Sequence, residues 1–300
     1  MMADELEFHR WLRGRAEVGT GVDVSIGDDG AVCALPEGTR MVLVADAIAE
    51  GSHFLSDDAP ELVGRKALAR NLSDIAAMGA TPLYALATAA LPRGCPDDVP
   101  RRITTGMLEL AREFGVRLVG GDTVSHDGKT VLSVTVVGSV APGAAVLRSG
   151  ARPGDVVVVS GRLGGSFPHR HLRFTPRVAE ARTLLDLGPP SAMMDLSDGM
   201  ALDLKRLCEA SGVGADIDAA SIPVHGDVDP GPETLRHALE DGEDYELLFT
   251  IAPEKWEIVK AAWPHEAPLT AVGRVTSGAL RLVSGGGLGV PWPRGGHVHT

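Results

Sequence analysis

The sequence predicts an α/β protein of two lobes, with a mixed sheet in the N-terminal lobe and a separate α/β layer in the C-terminal one. Three observations carry this. Strand-length apolar runs alternate with amphipathic helical stretches in both halves. A breaker-rich zone, Pro142-Gly143 and then Gly150 to Gly154, divides the chain near its middle. With 300 residues, 44% of them hydrophobic, there is enough apolar surface for two cores. The expected domains are residues 1–143 and 144–300.

In chain order, Leu6 to Arg13 reads as a short helix. Met41 to Ala45 is a continuous apolar run ending at Asp46, the pattern of a buried strand delivering a carboxylate at its end. Pro60 opens a helix through Met78, with Leu62, Val63, Ala67, Leu68, Leu72, Ile75 and Ala76 on its apolar face. Gly79 to Pro82 stops it, and Leu83 to Ala90 resumes as strand. Asp97 to Phe114 is a second amphipathic helix, and Val116 to Val119 a short strand running into Gly120-Gly121-Asp122. Asp127-Gly128 signals a hairpin before the strand Val131 to Val140. In the second lobe, Asp155 to Ser160, Ser191 to Met194, Leu247 to Ile251 and Thr270 to Val275 read as strands. Ser197 to Ala210 and Glu254 to Trp263 read as helices.

Composition excludes several function classes. Lys and Arg number 28 against 40 Asp and Glu, a net charge of −12 that argues against a nucleic-acid partner. Aromatic content of 4% leaves no base-stacking platform. No apolar run approaches bilayer length, and the charged stretch Met1 to Arg15 has no signal-peptide core. The three cysteines, Cys33, Cys95 and Cys208, are widely spaced, as in a reduced, cytoplasmic protein.

Acidic residues recur beside glycines or turn formers. Asp28-Asp29 between Gly27 and Gly30 fits a β-turn as well as a ligand site. Lys66, Arg70 and Asp74 stack on one helix face at spacing four, either a solvated salt-bridge stripe or a charged face lining a cleft. In Asp195-Leu196-Ser197-Asp198-Gly199, Ser197 reads as the helix cap and Asp198 as a first-turn residue. Capping leaves Asp195 unexplained, whereas a metal-bound phosphate at a helix N-terminus uses both carboxylates. Gly120-Gly121-Asp122-Thr123 puts a carboxylate past a strand, and Gly242-Glu243-Asp244-Tyr245 is either a solvated acidic loop or a close-approach site. His169, Arg170 and His171 read as a basic surface loop.

The chemistry that wants such a set is phosphoryl transfer, in which magnesium ions shared between carboxylates and phosphate oxygens turn repulsion into positioning. No phosphate-cradling G-x-x-x-x-G-K-[ST] loop, serine-hydrolase elbow or zinc-peptidase motif occurs.

Taken together, the motifs resemble the thiamine-monophosphate kinases of the aminoimidazole-ribonucleotide-synthetase-like superfamily. The likeness runs from Gly27-Asp28-Asp29 through Glu50 to Phe54, Lys66 to Ala80, Gly120 to Thr123, Arg148 to Asp155, Asp195 to Gly199 and Gly242 to Leu248. The resemblance implies ATP-dependent phosphorylation of thiamine monophosphate to thiamine diphosphate by direct in-line transfer. It further implies magnesium on Asp29, Asp46, Asp74, Asp122, Asp195 and Asp198, and ATP contacts from Gly121, Asp122, Arg148 and Ser197. His53 and Glu243 would meet the thiamine phosphate, with Trp292 as a stacking wall. A homodimer pairing its N-terminal sheets, with nucleotide near the dimer interface, is implied as well.

Two positions depart from the family pattern. Val44-Ala45-Asp46-Ala47 lacks the hydroxyl neighbours usual around this aspartate, and Gly165 to Arg170 runs straight into His171-Leu172-Arg173, as though a helix were deleted. Two alternatives therefore accompany the kinase: a sister ATP-dependent synthetase, and a paralogue that binds nucleotide or thiamine phosphate without turnover.

Overall fold

A computed structural model describes residues 11–12, 14–15, 21–24, 31–168, 170–283, 290–293 and 295. The expected helix at Leu6 to Arg13 lies outside these, apart from Trp11 and Leu12, which are helical. The chain divides into two compact units, residues 1–75 with 80–144 and residues 76–79 with 145–300.

The first unit runs β1 (Val22–Val24), β2 (Val32–Cys33), β3 (Arg40–Ala49), α1 (Pro60–Ala77), β4 (Thr81–Pro92), α2 (Asp98–Glu113), β5 (Arg117–His126) and β6 (Val131–Val140). Its main sheet has the order β3-β6-β4-β5, antiparallel except for the parallel β4–β5 pair. One face is core: Leu132, Val134 and Val136 of β6 are buried, and Ile75 of α1 lies over Gly138. The other face is open over much of its area, with Met41, Leu43, Leu86 and Val124 between 42% and 61% exposed. At one end of that face the β1–β2 ribbon covers Tyr84, whose hydroxyl donates to the carbonyls of Gly21 (2.8 Å) and Ala34 (2.6 Å).

Three expectations are corrected here. The run from Met41 does not end at Ala45 as a buried strand: β3 is an edge strand that continues to Ala49, so Asp46 sits within it. Continuous apolar sequence mimicked two-sided burial, but an edge strand with one open face needs none. Gly120-Gly121-Asp122 likewise lies inside β5. The reason is Gly121, where a Cβ would stand 1.9 Å from the carbonyl oxygen of Ala87, so the glycine admits close strand approach instead of ending the strand. Asp127-Gly128 closes no hairpin, because β4 lies between β5 and β6 and the connection crosses over its end.

The second unit runs β7 (Val156–Ser160), α3 (Val178–Leu187), β8 (Ala192–Asp195), α4 (Met200–Ser211), β9 (Gly214–Asp218), α5 (Thr234–Glu240), β10 (Leu247–Ile251), α6 (Pro253–Ala262), β11 (Leu269–Thr276), β12 (Arg281–Val283) and β13 (Val290–Pro291). They build a seven-stranded sheet in the order β13-β12-β9-β11-β7-β10-β8. β7 and β10 are buried on both faces, which their unbroken Val156 to Val159 and Leu247 to Ile251 runs anticipate. Val157, Val159 and Leu248 pack with α4 on one side, while Val158, Phe249 and Ile251 pack with α3 and α6 on the other. No helix among the described residues is long and apolar enough to cross a membrane.

Candidate functional site

In the first unit Lys66 and Arg70 of the charged α1 stripe are buried against the turn and strand beside it. Lys66 is fully buried and its Nζ donates to the His53 carbonyl at 2.6 Å. Arg70 Nε pairs with Asp46 Oδ2 at 3.4 Å, and Asn71 Oδ1 accepts the Asp46 amide at 3.1 Å. His53 Nδ1 accepts the Ala49 amide. Asp46, His53 and α1 are thus one cluster, with Asp74 half-buried a turn beyond Arg70. Burying Lys66 and Arg70 requires partners, and the cluster supplies a carbonyl for Lys66 and the Asp46 charge for Arg70, whose Nε makes an ion pair but no hydrogen bond.

Strand register separates the remaining candidates. Asp46, Val134, Ala87 and Gly121 form one row across β3, β6, β4 and β5, and Ala47, Ser133, Thr88 and Asp122 form the next. Adjacent rows face opposite ways. Asp46 therefore looks to the helix side and Asp122 to the open apolar side, where its Oδ1 accepts the Thr123 amide. Ala45 and Ala47 share the open side, so hydroxyls at those positions would not flank the Asp46 carboxylate. On the Asp122 row, Ser133 and Thr88 are the hydroxyl-bearing residues. Asp28 and Asp29 lie outside the described residues.

In the second unit two acidic loops are joined. Beyond the Leu247–Asp195 pair of β10 and β8, Leu196 N donates to Glu246 O, Tyr245 N to Leu196 O and Glu243 N to Ser197 O, each at 2.8 Å. Loop 195–199 and loop 242–246 thereby become one surface. The expected helix start is corrected: α4 begins at Met200, with Gly199 at φ 98° as its N-terminal flank. Ser197 does not cap it. Instead Asp203, in the first turn, accepts the amides of Ser197 (3.1 Å) and Asp198 (2.9 Å) through Oδ2. Asp203 was missed by sequence reasoning, although its place five residues after Asp198 in the same helical run was the available signal.

Burial, together with the nearby charges of Asp198 and Asp195, pushes the Asp203 carboxyl up to about 7. Arg206 partly offsets this, reaching Asp203 Oδ1 at 2.8 Å and pairing with Asp198. Asp195 itself is buried, Arg148 is exposed, and Ser197 is half-buried. Trp292 packs in the core against α4, its indole N–H bonded to Ala201 O at 2.7 Å.

The loop 242–246 is the opposite of a solvated acidic turn. Glu243, Asp244, Tyr245 and Glu246 are all buried. Glu243 accepts the Tyr245 hydroxyl at 2.9 Å and stands 3.8 Å from His171 Nδ1. Phe174 stacks on Tyr245 at 4.0 Å. Glu246 takes a bidentate grip from Arg177 and a 2.5 Å bond from the Ser160 hydroxyl. The basic surface expected around Arg170 is corrected too: His171 is 1% exposed, and Arg170 is folded onto Asp244. The amides of Gly164 and Gly165 already bond Asp244 and Asp241, so this glycine loop is no free phosphate cradle.

Burial, helped by Glu246 and Asp241 and opposed by Arg170 and the Gly164 amide, raises the Asp244 carboxyl from 3.8 to about 7. Because the folded value lies above the unfolded one, native Asp244 keeps its proton longer and stability falls as pH rises from about 4 to about 7. Asp244→Asn removes that slope. The stability of wild type relative to this variant is expected to drop by about 1–3 kcal/mol between pH 4.5 and 7.5, as read by urea unfolding. An equal difference at both pH values would contradict the assignment.

Among the described residues no three His, Cys, Asp or Glu side chains converge as a ready-made metal cage. Magnesium does not require one, since it takes one or two carboxylates together with phosphate oxygens and keeps several waters. The hard oxygen donors of Asp195 and Asp198, whose charges also press on Asp203, fit that ion.

The AIR synthase related protein family matches this chain twice, through its N-terminal domain at residues 27–140 and its C-terminal domain at residues 152–285. The thiamine-monophosphate kinase of Rhodopirellula baltica is 40% identical over 285 residues, covering 90% of this chain and 89% of the relative. The crystal structure of thiamine-monophosphate kinase from Stenotrophomonas maltophilia superposes with a TM-score of 0.81 at 30% identity, covering 93% of this chain and 96% of that one. The structure of AaThiL complexed with AMPPCP and TMP gives a TM-score of 0.74 at 30% identity, covering 88% and 89%.

Proposed function

The chain belongs to the AIR synthase related family and, within it, to the thiamine-monophosphate kinases, and from this we infer that it transfers the γ-phosphoryl group of ATP to thiamine monophosphate, giving thiamine diphosphate and ADP. The observation that carries the reading is the joined pair of acidic loops, 195–199 and 242–246, on a chain 40% identical to such a kinase. A structural relative holds an ATP analogue together with TMP, the substrate pair this reaction needs.

An ionised phosphate oxygen of thiamine monophosphate attacks the γ-phosphorus of ATP, and the bond from that phosphorus to the β–γ bridging oxygen breaks in line. The acceptor carries its own charge, so no side chain need remove a proton. Asp46 and Asp74 on the helix side of the first sheet, Asp122 on its open side, and Asp195 and Asp198 in the second unit, with Asp29, are the proposed magnesium ligands, divided among more than one ion. Bound there, magnesium would neutralise the phosphates and align them. Asp203 keeps loop 195–199 in shape by holding its two amides, and Arg206 balances the charge of Asp198. Gly121, Arg148 and Ser197 are assigned to ATP, and His53 and Glu243 to the thiamine phosphate. A carboxylate at Glu243 suits the cationic thiazolium ring of that substrate. Incubating the purified protein with ATP, magnesium and thiamine monophosphate should yield thiamine diphosphate and ADP in equal amounts by mass spectrometry. ADP alone would favour a sister synthetase, and binding without product a silent paralogue.

A homodimer in the cytoplasm is part of the proposal. The support is the open sheet face bearing Met41, Leu43, Leu86 and Val124, too apolar a surface to leave in water. Leu43→Glu is expected to shift the mass in light scattering from twice the chain's 31.3 kDa to a single copy. A monomeric wild type would overturn this part of the reading.

A further inference from the structure

Loop 242–246 holds three left-handed residues among four, Gly242 at φ 72°, Glu243 at 59° and Tyr245 at 51°. Side chains seldom adopt that conformation, and it persists where surrounding contacts over-determine it. The contacts come from the connection after β7. The Ser166 hydroxyl donates to the Glu243 carbonyl at 2.6 Å. Between the two strained residues lies Asp244, its side chain 2% exposed, with both oxygens 3.1 Å from the Gly164 amide. Arg170 reaches Asp244 Oδ1 at 2.6 Å, the Gly164 carbonyl at 2.9 Å and Asp227 Oδ2 at 3.1 Å. Arg177, the other guanidinium at this loop, is committed to Glu246 and Glu180.

Once ionised, a buried carboxylate deprived of its cation gains by moving toward water. Moving Asp244 would unwind both of its left-handed neighbours and detach Glu243 from Ser197. We propose that Arg170 is a positioning residue for the phosphoryl acceptor: by neutralising Asp244 it keeps loop 242–246 closed, and so sets the affinity for thiamine monophosphate. This rests on the assignment of Glu243 to that substrate.

The test is steady-state kinetics on the full chain. Arg170→Met is expected to raise KM for thiamine monophosphate about tenfold or more, with KM for ATP within about threefold of wild type. Adding Asp244→Asn should bring KM back within about threefold, since the asparagine side chain can still accept the Gly164 amide and no lone buried charge remains. A KM unchanged in Arg170→Met, raised equally for both substrates, or not restored by Asp244→Asn overturns the proposal. Should Arg170→Met fail to fold, Arg170→Lys replaces it: a KM raised about threefold supports the proposal and an unchanged one overturns it. Glu243→Gln tests the underlying assignment separately. If that variant keeps its KM for thiamine monophosphate, Glu243 is not the contact, whatever Arg170 does.

Discussion

Asp198→Asn is expected to lower kcat for thiamine diphosphate formation by about 100-fold or more while leaving the melting temperature nearly unchanged. The factor corresponds to about 2.7 kcal/mol of lost transition-state stabilisation, the scale expected when a group that organises transferring charge is removed. The fold is spared because Asp198 lies in a half-buried loop, and the amides that shape the loop are bonded to Asp203. The amide of asparagine keeps the size of the side chain and loses the charge that a divalent ion needs. Arg206 then faces one charged partner, Asp203, instead of two. A kcat within about threefold of wild type would remove Asp198 from the metal set. Asp74→Asn is expected to show the same pattern in the first unit.

Gly106→Ala should cost at least about 3 kcal/mol of stability and lower the melting temperature by about 10 °C. An alanine in mid-helix normally gains up to about 1 kcal/mol over glycine. Here the added Cβ would stand 1.8 Å from the carbonyl oxygen of Glu61 on α1, and the reciprocal Cβ at Gly64 would stand 1.9 Å from the carbonyl oxygen of Ile103 on α2. Both obstacles are backbone, so no side chain can turn aside and the helices must part. Their separation also stretches the Arg102–Glu61 pair, bidentate at 2.6 and 2.9 Å. Gly226→Ala, where nothing lies within 4 Å, is the control and should change stability by under about 1 kcal/mol. Equal melting temperatures for the two variants would mean that α1 and α2 do not cross at this glycine pair.

The candidate site was legible residue by residue and illegible in its grouping. Gly242 to Tyr245 stood out as acidic and glycine-led, yet hydropathy alone equally allowed a solvated loop. Its burial depends on Arg170, Arg177 and Ser166, all more than 60 residues away in sequence. Ser197 matched the helix-cap signature, but Asp203 took over the amides of that loop, an outcome invisible to a rule that reads forward from the cap. Asp46 and Asp122 looked equivalent as carboxylates in strand contexts. Only pairing through β6 and β4 shows them on opposite faces.

The two-lobed α/β class, most strand and helix positions, and the family to which the chain belongs are readable from the amino-acid order alone. These follow from side-chain periodicity and short motifs, which depend on neighbours a few residues apart. The tertiary structure decided which strand lies at an edge, which carboxylates share a face, and which charges are buried with partners. Those are properties of long-range pairing. A one-residue change of register reverses a side chain's face, and a buried charge is tolerable only where a distant partner arrives to meet it.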